Sequence, residues 1–352
     1  KTDDPGIKAG QFGPGGGRGK EKRKMTKIIE KAVETLRDGG SLSEEELNLL
    51  AGEPLPQLRQ AADALRKTFC GDAFDLCTIF NGKSGRCSED CKYCAQSACY
   101  ETEIREYPLL SKETIVQEAE YNADKGVLRF SVVTSGKRLS ETELEALCKA
   151  YRQIADKGRI SLCASLGLLN EAQFRRLGEA GVSRCHNNLE ASASFFPEVC
   201  TTHRFEDKVR AIRAARKAGL EVCSGGIIGM GETMEDRVGL AVALRRLGIR
   251  SVPINLLNPI PGTPMEHQPP LTPDEVDRTV AIFRFALPDA AIRLAGGRGL
   301  LPDRGESAFR SGANAAITGD MLTTAGIGIE TDLAMIRKLG FKVVKKWRRS
   351  SL

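Results

Sequence analysis

What most constrains the fold of this chain is an alternation. Short β-rich runs near residues 73–80, 127–134, 159–166, 181–187, 220–228, 250–256, 290–295 and 314–318 are separated by segments of helical periodicity. One such segment sets Leu144, Leu147, Cys148 and Tyr151 at i, i+3, i+4 and i+7, a single apolar helix face. Eight strand–helix units predict a parallel (β/α)8 barrel of the TIM type, class α/β, with an open doubly wound sheet as the alternative. In a barrel, function gathers at the C-terminal ends of the strands.

Ahead of the alternation, residues 25–69 read as N-terminal helices. Ser43 and Glu46 form a capping box before Leu47, Leu49 and Leu50. Residues 1–24 are rich in Gly and Lys/Arg without apolar periodicity, and are expected to be disordered or an added tag, with Met25 as a candidate start. The Gly15–Lys20 run is not a phosphate loop, because Lys20 is followed by Glu21 instead of Ser or Thr. The barrel is expected over 70–342, followed by a basic tail, 343–352.

The net charge of +6 is carried by the ends. Residues 1–24 contribute +4 and residues 341–352 contribute +5, so the body is weakly acidic at −3. A nucleic-acid partner is therefore not expected. No run approaches the roughly 18 apolar residues of a membrane span, and no apolar signal core precedes the helices, so the cytoplasm is the expected compartment. Eleven cysteines, an odd number, spread along a chain of this size argue for metal or redox chemistry over a disulfide framework. Only three histidines are present, which excludes histidine-rich metal sites.

The strongest local signal is GRCSEDCKYCA at residues 85–95. Cys87, Cys91 and Cys94 follow C-x3-C-x2-C directly after the first strand run. Three thiolates on one loop hold three irons of a cubane and leave the fourth open. Zinc is the competing occupant, but it calls for a fourth ligand. This spacing resembles the radical S-adenosylmethionine (SAM) superfamily, in which SAM chelates the open iron and is cleaved by one electron. The resemblance implies a [4Fe-4S] cluster, SAM, and Tyr93 beside the adenine. GGIIGMGE at 225–232 is similar to the superfamily's Gly-rich pattern, which implies that the backbone at Ile227 meets the adenine.

Within that superfamily, residues 45–342 look like biotin synthase. The stretches that carry the likeness are CKYCAQS (91–97), VCSGGIIGMGET (222–233), SVPINLL (251–257), PGTPM (261–265), IRLAGGR (292–298) and SGANAAITGDMLTT (311–324). The resemblance implies sulfur insertion into dethiobiotin, with an auxiliary iron–sulfur cluster in the barrel as sulfur donor. It also implies an electron donor such as flavodoxin or ferredoxin, and is compatible with a homodimer.

The family's auxiliary ligands are one Cys on each of strands two, three and five, plus a late Arg. By position these correspond to Cys163, Cys223 and Arg293, while strand two carries Ser131 where the family has Cys. Cys185, on strand four, is expected to point inward and replace it, with Cys200 as the rival. Moving a ligand leaves the cluster two-iron or four-iron, with four-iron favoured. Cys70, Cys77, Cys99 and Cys148 are read as structural. By the same resemblance Asn188, Asn255 and His186 are expected to contact substrate, and Thr134, Glu190 and Asn255 to contact SAM. Asn side chains suit a cyclic urea because they both donate and accept. Two other readings stay open: a different radical SAM reaction on the same barrel, and a cluster-carrying scaffold without catalysis.

Overall fold

The computed structural model describes residues 25–319, 321–324 and 326–344. The segment 1–24 and most of the basic tail, residues 345–352, lie outside the described residues.

Three helices lead: α1 (Lys27–Arg37), α2 (Glu44–Ala51) and α3 (Leu55–Cys70). The alternation follows as β1 (Ala73–Lys83), α4 (Lys112–Asp124), β2 (Arg129–Thr134), α5 (Glu141–Lys157), β3 (Ser161–Ser165), α6 (Glu171–Glu179) and β4 (Val182–His186). It continues through α7 (Phe196–Val199), α8 (Phe205–Lys217), β5 (Glu221–Cys223), β6 (Gly226–Ile228), α9 (Met234–Arg246), β7 (Ser251–Leu256) and α10 (Pro273–Ala286). The last elements are β8 (Ala291–Leu294), α11 (Glu306–Phe309), β9 (Ala315–Thr318), α12 (Ile329–Lys338) and β10 (Lys342–Val343).

The strands pair in parallel in the order β1-β2-β3-β4-β5-β7-β8-β9, and β9 closes on β1. This is a closed barrel with eight strand positions, the predicted (β/α)8 architecture. β5 and β6 are two halves of one position, both pairing with β7. The run expected at 220–228 is thus broken at Ser224–Gly225. The backbone of Gly225 comes so close to the Pro253 carbonyl that a Cβ would overlap it.

The capping box reads as expected: Ser43 N–H donates to Glu46 Oε2 at 2.9 Å, and Glu46 N–H to Ser43 Oγ at 3.1 Å. Capping boxes also start α5, α6, α9 and α10, each on a loop that leaves the C-terminal mouth. Such a cap stabilises a helix start by about 1 kcal/mol. The apolar face of α5 is buried, and Tyr151 Oη donates to the Cys163 carbonyl at 3.0 Å, fixing the helix to β3. The leading helices pack on the outer layer, α3 along α10 and α2 along α9. Arg278 ties them down by donating to the Ala51 and Glu53 carbonyls at 2.8 and 2.7 Å.

One irregularity decides which side chains reach the lumen. Between β3 and β4, Leu162 aligns with Val182 but Cys163 aligns with Arg184, so β4 carries one extra residue, Ser183. A one-residue bulge inverts the in–out alternation beyond it. Arg184 therefore faces inward with Cys163, and Cys185 faces outward with Ala164.

Candidate active site

The loop after β1 folds back on itself through main-chain bonds. Cys87 N–H donates to the Gln96 carbonyl at 2.9 Å, Ala98 N–H to the Cys87 carbonyl at 2.7 Å, and Cys94 N–H to the Cys91 carbonyl at 2.9 Å. The result gathers the three cysteines of C-x3-C-x2-C into one turn. Cys87 and Cys94 open onto a cavity of 320 Å³ that runs into the barrel. The Cys91 sulfur, next to that of Cys94, also meets Cys200. Burial pushes the Cys94 thiol up to about 11, while contact with Cys200, then burial, raises that of Cys91. Thiols that bind a metal do so as thiolates, their protons being displaced to solvent. Three converging thiols on one tight turn fit three irons of a cubane.

Tyr93 lies beside these sulfurs, half-buried, with the Glu190 carboxylate close by. Around it Ala191, Val199, Ile227, Met230, Leu257 and Met265 form a small apolar cluster separate from the main core. That slot suits a flat, weakly polar ring. The Ile227 N–H is already donated to the Glu190 carbonyl at 2.9 Å, and the Glu190 N–H reaches the Gly225 carbonyl at 3.2 Å. This reciprocal pairing holds Glu190 in the left-handed region, at φ 71°. Its carboxylate Oε2 is buried without a hydrogen-bond partner, and Lys208 Nζ stands 3.9 Å from Oε1.

The polar belt below divides into groups already engaged and groups left open. Asn255 donates from Nδ2 to the Gly226 carbonyl at 3.1 Å and accepts from Gly296 N–H at 3.0 Å, so it braces two strand ends. Asn188 accepts from Gly225 N–H at 3.0 Å, which leaves its amide nitrogen outside that bond. His186 turns toward Cys223. Thr134 Oγ1 and Ser131 Oγ are buried on the cavity wall with no partner.

Deeper in the lumen, Cys77, Cys163 and Cys223 line the same cavity from β1, β3 and β5. Three arginines surround one carboxylate here. Arg293 Nη2 lies 3.0 Å from Asp75 Oδ1, while Arg184 Nη1 and Arg129 Nε each lie 3.6 Å from Asp75 Oδ2. Asp75 is fully buried and Arg293 is 1% exposed. Burial opposes ionisation of Asp75, but Arg293, Arg184 and Arg129 outweigh it and hold the carboxyl below its usual range. Burial likewise raises the Cys223 thiol. The His186 hydrogen bond and the charges of His186, Arg293 and Arg184 overcome it and bring Cys223 down to about 6. Cys77 is pushed up to about 12, mainly by burial. Arg293 Nε, Nη1 and Nη2 and Arg129 Nε have no aligned hydrogen-bond acceptor. Unmatched buried cations beside three thiols form a cavity that suits an anionic occupant, and the donor set fits an iron–sulfur group.

Two expectations need correction. Cys185 does not face the lumen; it packs in the apolar core outside the barrel wall, because of the Ser183 bulge. Cys77, read as structural, is the lumen's third thiol, on the strand beside Ser131. Cys200, the rival ligand, lies at the mouth against Cys91, not among the lumen thiols. Asp75, Arg129 and Arg184 escaped notice altogether. Their signal was charge at inward positions of otherwise apolar strands: Asp75, Cys77 and Ile79 alternate along β1, as Arg129, Ser131 and Val133 do along β2.

Comparison with known proteins agrees with this geometry. The radical SAM superfamily profile matches residues 83–244, and that of the biotin and thiamin synthesis associated domain matches 253–342. A biotin synthase of Akkermansia muciniphila is 56% identical over 88% of this chain and 96% of its own. One from Clostridium botulinum (strain Alaska E43 / Type E3) is 53% identical over 90% of this chain and 99% of its own. Among solved structures, methylornithine synthase superposes with a TM-score of 0.76 at 18% identity, covering 90% of this chain and 97% of that one. The FeFe-hydrogenase maturase HydG from Carboxydothermus hydrogenoformans gives 0.77 at 17%, covering 92% and 81%. At that identity the structures speak only for the shared barrel, whereas the sequence relatives cover nearly the whole chain. The chain belongs to the biotin synthase family of radical SAM enzymes.

Proposed function

We propose that this chain converts dethiobiotin to biotin, with Cys87, Cys91 and Cys94 holding the SAM-cleaving [4Fe-4S] cluster and Cys77, Cys163 and Cys223 holding an auxiliary cluster. When bound, these groups supply a deoxyadenosyl radical from SAM at the mouth and sulfur at the floor, with electrons from a donor of the flavodoxin or ferredoxin type. The observation that carries the reading is the single cavity lined by mouth and floor thiols together. A carbon radical must be quenched within contact distance, and one lumen offers that proximity.

The chain's own residues do the positioning. Tyr93 and the apolar cluster around it take the adenine, with Ile227 as the facing wall. Glu190, whose Oε2 has no partner, accepts ribose hydroxyls. Thr134 Oγ1, likewise unpaired, meets the methionine end of SAM. Asn188 offers its amide N–H groups to the ureido carbonyl. Asn255 acts by bracing Gly226 and Gly296, between SAM and substrate, and His186 acts through Cys223 more than through substrate.

Arg293, held by Asp75 at 3.0 Å through Nη2, lines the cavity with Nε and Nη1 unpartnered, and stands beside the three thiols as ligand or neighbour of the auxiliary cluster. Three thiols match a four-iron cluster with one open iron, whereas a two-iron cluster would take Arg293 as its fourth ligand. The arginines offset the charge of the thiolates.

The test is an anaerobic assay of reconstituted protein with SAM, a reductant and dethiobiotin. Biotin together with 5′-deoxyadenosine is the expected result. Deoxyadenosine without biotin would reassign the chain to another radical SAM reaction, and no SAM cleavage at all would leave only a scaffold.

A further inference from the structure

Beside the mouth loop stands a group of side chains that the proposed chemistry does not use. Cys200 and His203 are 3% and 6% exposed, on the segment that follows α7. The Cys91 and Cys200 sulfurs and one His203 ring nitrogen all lie within 4.8 Å of one another. Cys200 Sγ is 3.2 Å from His203 Nδ1 and 3.2 Å from Asp90 Oδ1, and His203 Nδ1 is 2.6 Å from Glu89 Oε2. His203 Nε2 is buried without a partner.

The group is held in place from both sides. Lys92 N–H donates to the Val199 carbonyl at 2.9 Å, and Asp90 Oδ1 accepts from Thr201 N–H at 2.9 Å and Thr202 N–H at 3.1 Å. Residues 199–203 are therefore clamped onto the cysteine loop, and the donors are brought together before any ligand arrives. Metal–sulfur bonds of about 2.3 Å and metal–nitrogen bonds of about 2.0 Å give tetrahedral edges of roughly 3.5 Å. The Cys200–His203 separation of 3.2 Å is of that size, and Cys91 lies within 4.8 Å of both. Sulfur and imidazole donors select borderline divalent metals, and Glu89, Asp90 or a water is at hand as a fourth ligand.

We propose that Cys91, Cys200 and His203 form a mononuclear site for a divalent transition metal, occupied in cluster-free protein and serving to load iron into the mouth loop. Cys91 belongs to both sites, so the two occupancies exclude each other. A metal held by Cys200 and His203 already has one of its ligands in the loop, and moving it requires only exchange onto Cys87 and Cys94. Both sulfurs bind as thiolates, and any thiol proton displaced is released to solvent.

The test uses full-length, cluster-free protein under anaerobic conditions, titrated with Co2+ as optical probe. Because the two sites share Cys91, wild type should bind its first equivalent more tightly than Cys200→Ser, and the thiolate-to-cobalt charge-transfer band of that equivalent should differ between them. His203→Ala should weaken that equivalent by about tenfold or more. Both variants, and Cys200→Ala, should assemble clusters more slowly than wild type at limiting Fe2+ yet reach the same final iron content, which also shows that they fold. Equal affinity for the first equivalent, the same charge-transfer band and an equal assembly rate in wild type and Cys200→Ser would overturn the proposal. That failure would leave biotin formation untouched, so it is distinguishable from failure of the proposed function.

Discussion

The mouth and the floor of this barrel each carry three thiols, but they are built in opposite ways. At the mouth, Cys87, Cys91 and Cys94 come from one loop, and main-chain hydrogen bonds within that loop set their spacing. At the floor, Cys77, Cys163 and Cys223 come from three strands far apart in sequence, and closure of the sheet brings them together. The mouth thiols sit in a mixed surface, while the floor thiols sit among Arg129, Arg184, Arg293 and Asp75, all buried. A local loop can hold a cluster whatever the strands do. A floor site depends on every strand's register, so one bulge is enough to turn Cys185 outward and Arg184 inward.

If the two regions are separate in function, damage to them should part cleanly. The largest effect is expected from Cys94→Ser, which should take both deoxyadenosine and biotin formation to background, read by chromatography of the products. Cys223→Ser should abolish biotin while SAM cleavage persists, and it should lower iron content by the floor cluster alone. Loss of both products in Cys223→Ser would mean that the two regions are not independent.

Next in size is Asp75→Asn. It leaves Arg129 and Arg293 without their carboxylate, while Arg184 keeps Glu221 at 2.6 Å, and breaking such a network costs about 3–5 kcal/mol. Denaturant unfolding of cluster-free protein should show that loss, and Arg293→Leu in the same background should recover part of it. The smallest effect is expected from Cys185→Ser. Iron content and biotin yield should stay at wild-type levels, with a stability loss of about 1–2 kcal/mol from burying an unpaired hydroxyl in an apolar core.

The same contrast explains what could be read from the sequence. The barrel was legible because its alternation repeats, and the mouth because C-x3-C-x2-C is contiguous. The floor was legible only in part. Cys163, Cys223 and Arg293 stand in recognisable stretches, but the inward face of β4 depends on Ser183, whose extra position no local pattern announces. Cys77 was passed over because β1 reads as an apolar run, although Asp75 two residues earlier marks that face as polar. Roles within the polar belt depend on hydrogen bonds to distant backbone, such as Asn255 with Gly296, and these appear only once the strands are side by side.

The most direct measurement is Mössbauer spectroscopy of 57Fe-reconstituted protein, recorded with and without SAM. Two iron populations are expected, with SAM perturbing only the one lost in Cys94→Ser and leaving unchanged the one lost in Cys223→Ser. A single population, all of it responding to SAM, would contradict a second cluster at the barrel floor.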